Sequence, residues 1–224
     1  MEKTLALIHT APVLTPVFNE LVRERLDGVR VFHMVDESLI KNTIRAGRLE
    51  KTTIRRLVRM IESASEAGAD AVLVTCSSIG AGVPAARPLF DIPVFRIDEA
   101  MAEAAVAAGR RIGVIATLAT TLEPTVGLLA ATARHAGRDC EIIPHLCEGA
   151  FEKAVSGDTE GHDRAVKEAL ALLAREVDVI VFAQASMARV ANQLPPGSLP
   201  VPVLSSPALA IDRVRQILIA ENRQ

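Results

Sequence analysis

Ala69-Asp70-Ala71-Val72-Leu73-Val74-Thr75-Cys76-Ser77-Ser78 aligns without a gap to Val177-Asp178-Val179-Ile180-Val181-Phe182-Ala183-Gln184-Ala185-Ser186. In both, an acidic residue opens a short run of unbroken apolar side chains, and the run stops at polar residues. An apolar run with no polar alternation suits a strand buried on both faces, the condition of a parallel sheet covered by helices. Working outward, further runs of strand length are predicted at 4–10, 29–36, 93–97, 111–117, 140–147 and 202–204, beside the two quoted at 69–75 and 178–183. Between them lie stretches of helical period at 15–26, 49–67, 98–108, 123–135, 162–177 and 207–222. Gly68, Gly109 and Gly137 follow the ends of three of these, where left-handed C-caps fit. Thr120-Thr121-Leu122-Glu123 followed by Pro124 reads as a helix N-terminus.

The repeat extends beyond the quoted pair. His33-Met34-Val35-Asp36-Glu37-Ser38 aligns to Pro144-His145-Leu146-Cys147-Glu148-Gly149, and Leu5 through Thr10 aligns to Ile112 through Thr117. We therefore expect an α/β chain of two pseudosymmetric halves, residues 1–98 with 208–224 and residues 99–207, each a mostly parallel sheet flanked by helices. Parallel sheets bind ligands at the C-terminal ends of their strands. Two such halves would enclose one small ligand in a cleft between them, lined by Thr10, Asp36, Cys76, Ser77, Ser78, Thr117, Cys147, Gln184 and Ser186.

Composition narrows the function. Half of the 224 residues are hydrophobic but only 3% are aromatic, with no Trp or Tyr, so the core is aliphatic. The net charge of −2 gives no electrostatic reason to expect nucleic acid or an anionic membrane as partner. No segment reaches the roughly 18 to 20 apolar residues of a membrane span. Met1-Glu2-Lys3 runs straight into a strand-like segment, unlike a secretory signal. The three cysteines, Cys76, Cys140 and Cys147, follow no disulfide or zinc spacing, and are read as reduced thiols of a cytoplasmic protein. There is no phosphate loop and no Rossmann fingerprint: Gly80-Ala81-Gly82 lacks the third glycine. No His/Asp/Glu cluster suggests a metal.

The chemistry centres on Thr75-Cys76-Ser77-Ser78-Ile79-Gly80. A thiol at a strand end, before a polar turn, can meet helix-start N–H groups that favour thiolate, the form that acts as base or nucleophile. This segment resembles the first cysteine motif of the aspartate/glutamate/hydantoin racemase superfamily. Ala183-Gln184-Ala185-Ser186-Met187 is similar to the second, and Ile112-Gly113-Val114-Ile115-Ala116-Thr117 with Thr120-Thr121 looks like the segment that opens the second half and helps hold the substrate carboxylate. The resemblance covers essentially the whole chain. It implies a cofactor-independent racemase or epimerase, in which one cysteine removes the α-proton of a small carboxylate substrate and a second returns one on the opposite face.

The departure from the pattern is Gln184, at the second cysteine position. A glutamine side chain does not change protonation near neutral pH, so it cannot be an acid/base. It can hydrogen-bond a carboxylate or an enediolate. Alternatives therefore stay open: single-cysteine decarboxylation or cis–trans isomerisation of a small (di)carboxylate, or binding of a small acid without catalysis. Cys147 or His162 could replace the missing acid/base, although a buried or rim thiol and a capping or surface histidine are the favoured readings. Cys140, an odd number of residues from Cys147, falls on the other strand face and is structural. Thr10, Ser77, Ser78, Thr117, Thr120, Thr121 and Ser186 could cradle an anion; each can also be only a helix cap. Asp36 could touch substrate or cap a helix. His9 could face the ligand, and Arg96 or Arg189 could pair with its carboxylate. The Ala/Leu-rich helices leave room for a face between copies, and a homodimer or higher homo-oligomer is expected.

Overall fold

A computed structural model describes residues 2–195 and 197–220. Its eight strands are β1 (Lys3–His9), β2 (Val29–Val35), β3 (Ala71–Val74), β4 (Val94–Arg96), β5 (Arg111–Ala116), β6 (Glu141–Leu146), β7 (Val179–Phe182) and β8 (Val203–Ser205). The helices are α1 (Leu14–Arg25), α2 (Glu37–Ala46), α3 (Lys51–Glu66), α4 (Ser77–Gly80), α5 (Val83–Ala86), α6 (Glu99–Ala108), α7 (Ala119–His135), α8 (Ala150–Ser156), α9 (Thr159–Leu173), α10 (Ala188–Asn192) and α11 (Ser206–Ala220). Two compact units result, 1–98 with 207–224 and 99–206. Each holds a four-stranded parallel sheet, in the order β2-β1-β3-β4 and β6-β5-β7-β8.

The central strands explain why the sheets form. β3 and β7 are buried at every residue, so their backbone must be paired and both faces covered. In the first unit Ala6, Ile8, Val72 and Val74 meet Leu39, Leu57 and Ile61 from α2 and α3. In the second, Ile115, Ile180 and Phe182 meet Val166, Leu170 and Leu173 of α9. Each Val, Leu, Ile or Phe side chain among these contributes about 1.5–3 kcal/mol when fully buried.

The duplication extends to individual hydrogen bonds. Asp70 Oδ2 accepts the Thr4 amide at 2.7 Å, and Asp178 Oδ2 accepts the aligned Arg111 amide at 2.8 Å. The next pair of strands closes the same way: Asp36 N–H donates to the His9 carbonyl at 3.0 Å, and Cys147 N–H donates to the Ala116 carbonyl at 2.8 Å.

Three local expectations change. Gly68 and Gly137 are left-handed, at φ +89° and +63°, but Gly109 is not. A Cβ at Gly109 would lie 2.3 Å from Asp178 Cβ, so close approach, not cap geometry, requires glycine there. α7 starts at Ala119, four residues before the predicted start, because the Leu118 carbonyl already receives the Thr121 and Leu122 amides. Pro124 therefore lies inside the helix, and its missing N–H leaves the Thr120 carbonyl without an i+4 donor. α9 starts at Thr159, not at 162, because Asp158 caps it through the Gly161 amide at 2.9 Å. The last two residues of the predicted helix 207–222 lie outside the described residues. Among the described residues no helix is long and apolar enough to cross a membrane.

Candidate active site

Cys76 follows β3 in extended conformation and precedes α4. The β1–β3 register pairs Ile8 with Val74, so continuing it by two residues sets Thr10 opposite Cys76. The Thr10 hydroxyl, Ser78 by its hydroxyl and backbone, and the Ile79 backbone surround the sulfur and favour its thiolate form. Ser78 and Ile79 lie at the helix start expected from the sequence, and Thr10 just past the end of β1. Burial opposes them and wins: it pushes the Cys76 thiol up from its ordinary value. Burial thus favours the protonated sulfur, amid groups that favour the anion it becomes. Thr10, Ser77 and Ser78 are all buried.

The turn that carries these donors is braced from β4. Arg96 donates from Nε and Nη2 to the two oxygens of Asp98, both at 2.9 Å, and both residues are buried. A Cβ on Gly80 would lie 2.9 Å from Arg96 Nε, so only glycine lets α4 end against the guanidinium. Arg96, a sequence candidate for a ligand carboxylate, is bidentate on an internal one.

In the second unit Thr117 and Gln184 hold the positions aligned with Thr10 and Cys76. Gln184 Oε1 accepts the Thr117 amide at 2.6 Å and its hydroxyl at 3.0 Å. A backbone N–H only donates, so the acceptor must be the amide oxygen, and Gln184 is left with N–H groups to offer. Nearby in sequence, Thr121 is buried, and the buried Thr120 hydroxyl has no hydrogen-bond partner. Ser186 is exposed in the short turn after Gln184.

The remaining candidates have partners within their own units. Asp36 caps α2: its Oδ1 accepts the Ser38 amide at 2.9 Å and hydroxyl at 2.6 Å, and Oδ2 pairs with Arg56. Cys147 sits in the apolar core of the second unit, 3.8 Å from the Ala165 carbonyl, and burial pushes its thiol up to about 11. Cys140 is half-buried, 3.8 Å from the Gly109 carbonyl. His162 Nδ1 lies 2.9 Å from Asp163, which also takes both terminal nitrogens of Arg189 at 2.6 and 2.7 Å; Arg189 holds the Asp163 carboxyl below its ordinary range. These two side chains belong to a shallow charged groove along α9 with Glu160, Arg164 and Lys167.

His9 is fully buried, and both its ring nitrogens are used within the first unit. Nδ1 lies 2.7 Å from Thr75 Oγ1 and Nε2 lies 2.8 Å from His33 Nδ1, while His33 Nε2 reaches the Asn19 side-chain amide at 2.8 Å. Burial, aided by the neighbouring His33, draws the His9 imidazole down to about 4, so it is neutral. Sequence reading missed His33 and Asn19. The available signal was two histidines on the same face of adjacent strands, since His33 pairs with Leu7, two residues before His9.

Among the described residues no group of three or more His, Cys, Asp or Glu could hold a metal. The model of the Asp/Glu/Hydantoin racemase family matches residues 9–214, nearly the whole chain. The chain belongs to the Asp/Glu/hydantoin racemase family. It is thereby an enzyme of racemase type. Solved structures of the same fold include a glutamate racemase from Francisella tularensis in complex with D-glutamate, with 16% identity, TM-score 0.75, and 99% of this chain and 82% of that one covered. An allantoin racemase from Klebsiella pneumoniae has 22% identity and TM-score 0.69, covering 98% and 89%. An aspartate racemase from Picrophilus torridus has 14% identity and TM-score 0.71, covering 95% and 94%. At these identities the likeness is one of fold. No curated protein sequence matches the chain significantly.

Proposed function

We propose that this racemase-family enzyme moves a proton at the carbon alpha to a carboxylate of a small acid, with Cys76 as its acid/base and no cofactor. The observation that carries this reading is the place of one sulfur: Cys76 follows β3 and precedes α4, with Thr10 opposite it by strand register and Ser78 and Ile79 in the turn that follows. As thiolate, Cys76 takes the α-proton, and the C–H electrons pass into the carboxylate as an enediolate. As thiol, Cys76 gives a proton back to carbon and the donors hold the thiolate that results. The unpartnered Thr120 hydroxyl supports an anion-binding role for the start of α7.

Gln184 favours a second reading. An amide whose oxygen is tied to Thr117 offers N–H groups to an oxyanion but no proton to carbon. Decarboxylation of an acid with two carboxylates on one carbon fits that one-sidedness: one C–CO2 bond breaks, its electrons pass into the remaining carboxylate as an enediolate, and the Cys76 thiol gives its proton to the carbon and is left as thiolate. Incubating the protein in heavy water with a panel of small chiral acids separates the two. Exchange of the α-proton with the carboxylate retained supports proton transfer, and release of CO2 with one deuterium gained supports decarboxylation. Neither outcome on an acid that raises the melting temperature would count against both readings for that acid. Turnover surviving in Cys76→Ala would sink both catalytic readings.

A further inference from the structure

The end of the first sheet carries two cross-strand side-chain pairs. Continuing the β1–β3 register past Ile8 and Val74 sets His9 opposite Thr75 and Thr10 opposite Cys76. Consecutive residues of extended backbone point to opposite faces. Thr10 and Cys76 therefore share the face of Ile8 and Val74, and His9 and Thr75 share the other, where His9 tilts against Phe18 of α1 at 5.4 Å between ring centroids.

The rear pair is polar where it need not be. Thr75 donates its hydroxyl to the Ile8 carbonyl at 3.0 Å. His9 Nδ1 lies beside that hydroxyl at 2.7 Å, and His9 Nε2 lies 2.8 Å from His33 Nδ1. Burying an imidazole in this way costs free energy, seen in its lowered basicity. The second unit provides the internal comparison. It has the same strand order and register, and the positions aligned with His9 and Thr75 are Ala116 and Ala183, both buried. An Ala–Ala pair thus satisfies this fold. The polar pair is kept in the unit that has the thiol.

We infer that His9 is a positioning residue for the thiol: through Thr75, on the far side of the sheet, it fixes the strand ends that hold the Thr10 hydroxyl against Cys76. The inference rests on the reading of Cys76 as acid/base for its meaning, but its test does not depend on turnover. The test follows alkylation of Cys76 by iodoacetamide across pH, with mass spectrometry to separate it from Cys140 and Cys147. Thr75→Val keeps shape and removes the hydroxyl, Thr75→Ser keeps the hydroxyl, and H9A/T75A copies the rear pair of the second unit.

If His9 positions the thiol, Thr75→Val and H9A/T75A shift the Cys76 profile upward by about one pH unit, about tenfold slower alkylation at a fixed pH below the midpoint. Thr75→Ser stays within about twofold of the unchanged protein, and Cys140 is unaffected in all three. Profiles of Thr75→Val and H9A/T75A that overlay that of the unchanged protein would overturn the inference. So would loss of helical circular dichroism in both, since the pair would then be holding the fold. If the profiles shift while proton exchange in heavy water persists without Cys76, the positioning stands and the acid/base reading fails.

Discussion

The first unit ends its two central strands in Thr10 and Cys76 before a buried His9–Thr75 pair, and the second ends them in Thr117 and Gln184 before Ala116 and Ala183. The backbones that carry these pairs are bonded alike, down to the Asp70 and Asp178 carboxylates that take the first amides of β1 and β5. These differing pairs lie at the C-terminal strand ends: His9 is the last residue of β1, and Thr10, Thr75 and Cys76 follow β1 and β3. A strand end is where this scaffold accepts change with its sheet order and register kept. The same freedom let one unit hold an ionisable sulfur and the other a neutral amide.

The largest expected effect comes from erasing that difference. Cys76→Gln makes the two front pairs alike, and turnover should fall by about 10²- to 10⁴-fold, the usual contribution of an acid/base group. Steady-state rates on whichever acid exchanges its α-proton would check it, and an unchanged rate would mean that the asymmetry has no chemical role.

Next comes acid stability. Unfolded His9 takes a proton near 6.5, and folded His9 resists until about 4. The contribution of His9 to folding stability is therefore fully present above pH 6.5 and declines as pH falls from 6.5 to 4, by on the order of 3 kcal/mol. Urea titrations across that window should show the loss in the unchanged protein and a smaller one in H9A/T75A, whose rear pair matches the second unit. Equal slopes would show that the two rear pairs are energetically equivalent.

Cys147 gives the alkaline counterpart in the second unit. Its folded value near 11 exceeds the ordinary 9.0, so stability is intact below pH 9 and falls between 9 and 11 by about 2–3 kcal/mol. Cys147→Ala should flatten that fall in the same titrations. The smallest effect expected is for Thr117→Val. Gln184 keeps the backbone donor and loses the hydroxyl, a cost of about 1 kcal/mol in urea unfolding. A much larger loss would show that the amide is oriented mainly by that hydroxyl.

Much of this fold was legible in the sequence, because strands buried on both faces leave unbroken runs such as Ala71–Val74 that no amphipathic helix produces. Strand ends were read one or two residues long, since Thr10, Asp36, Thr117 and Cys147 continue the pattern after the ladder has stopped. α2 was not read as a helix: its Glu37-Ser38 start and polar Lys41-Asn42-Thr43 centre dilute the apolar period, although Asp36 signalled its cap. Cys76 stood out by its place after an apolar strand and before a polar turn. The direction of its thiol's shift did not, because burial depends on what tertiary packing brings around the sulfur. The link from His9 to Thr75, 66 residues away, and on to His33 needed strand register, which periodicity alone does not supply.

Gln184 has a consequence for how this chemistry would respond to acidity. Enzymes that use two ionising groups lose rate on both sides of an optimum, giving a bell. With the proposed chemistry resting on Cys76, and with an amide that keeps one charge state at every pH in the aligned position, the curve of log rate against pH would bend once. A single bend at the midpoint of thiol ionisation would be the kinetic imprint of a duplicated scaffold in which only one copy still carries an ionisable group at that site.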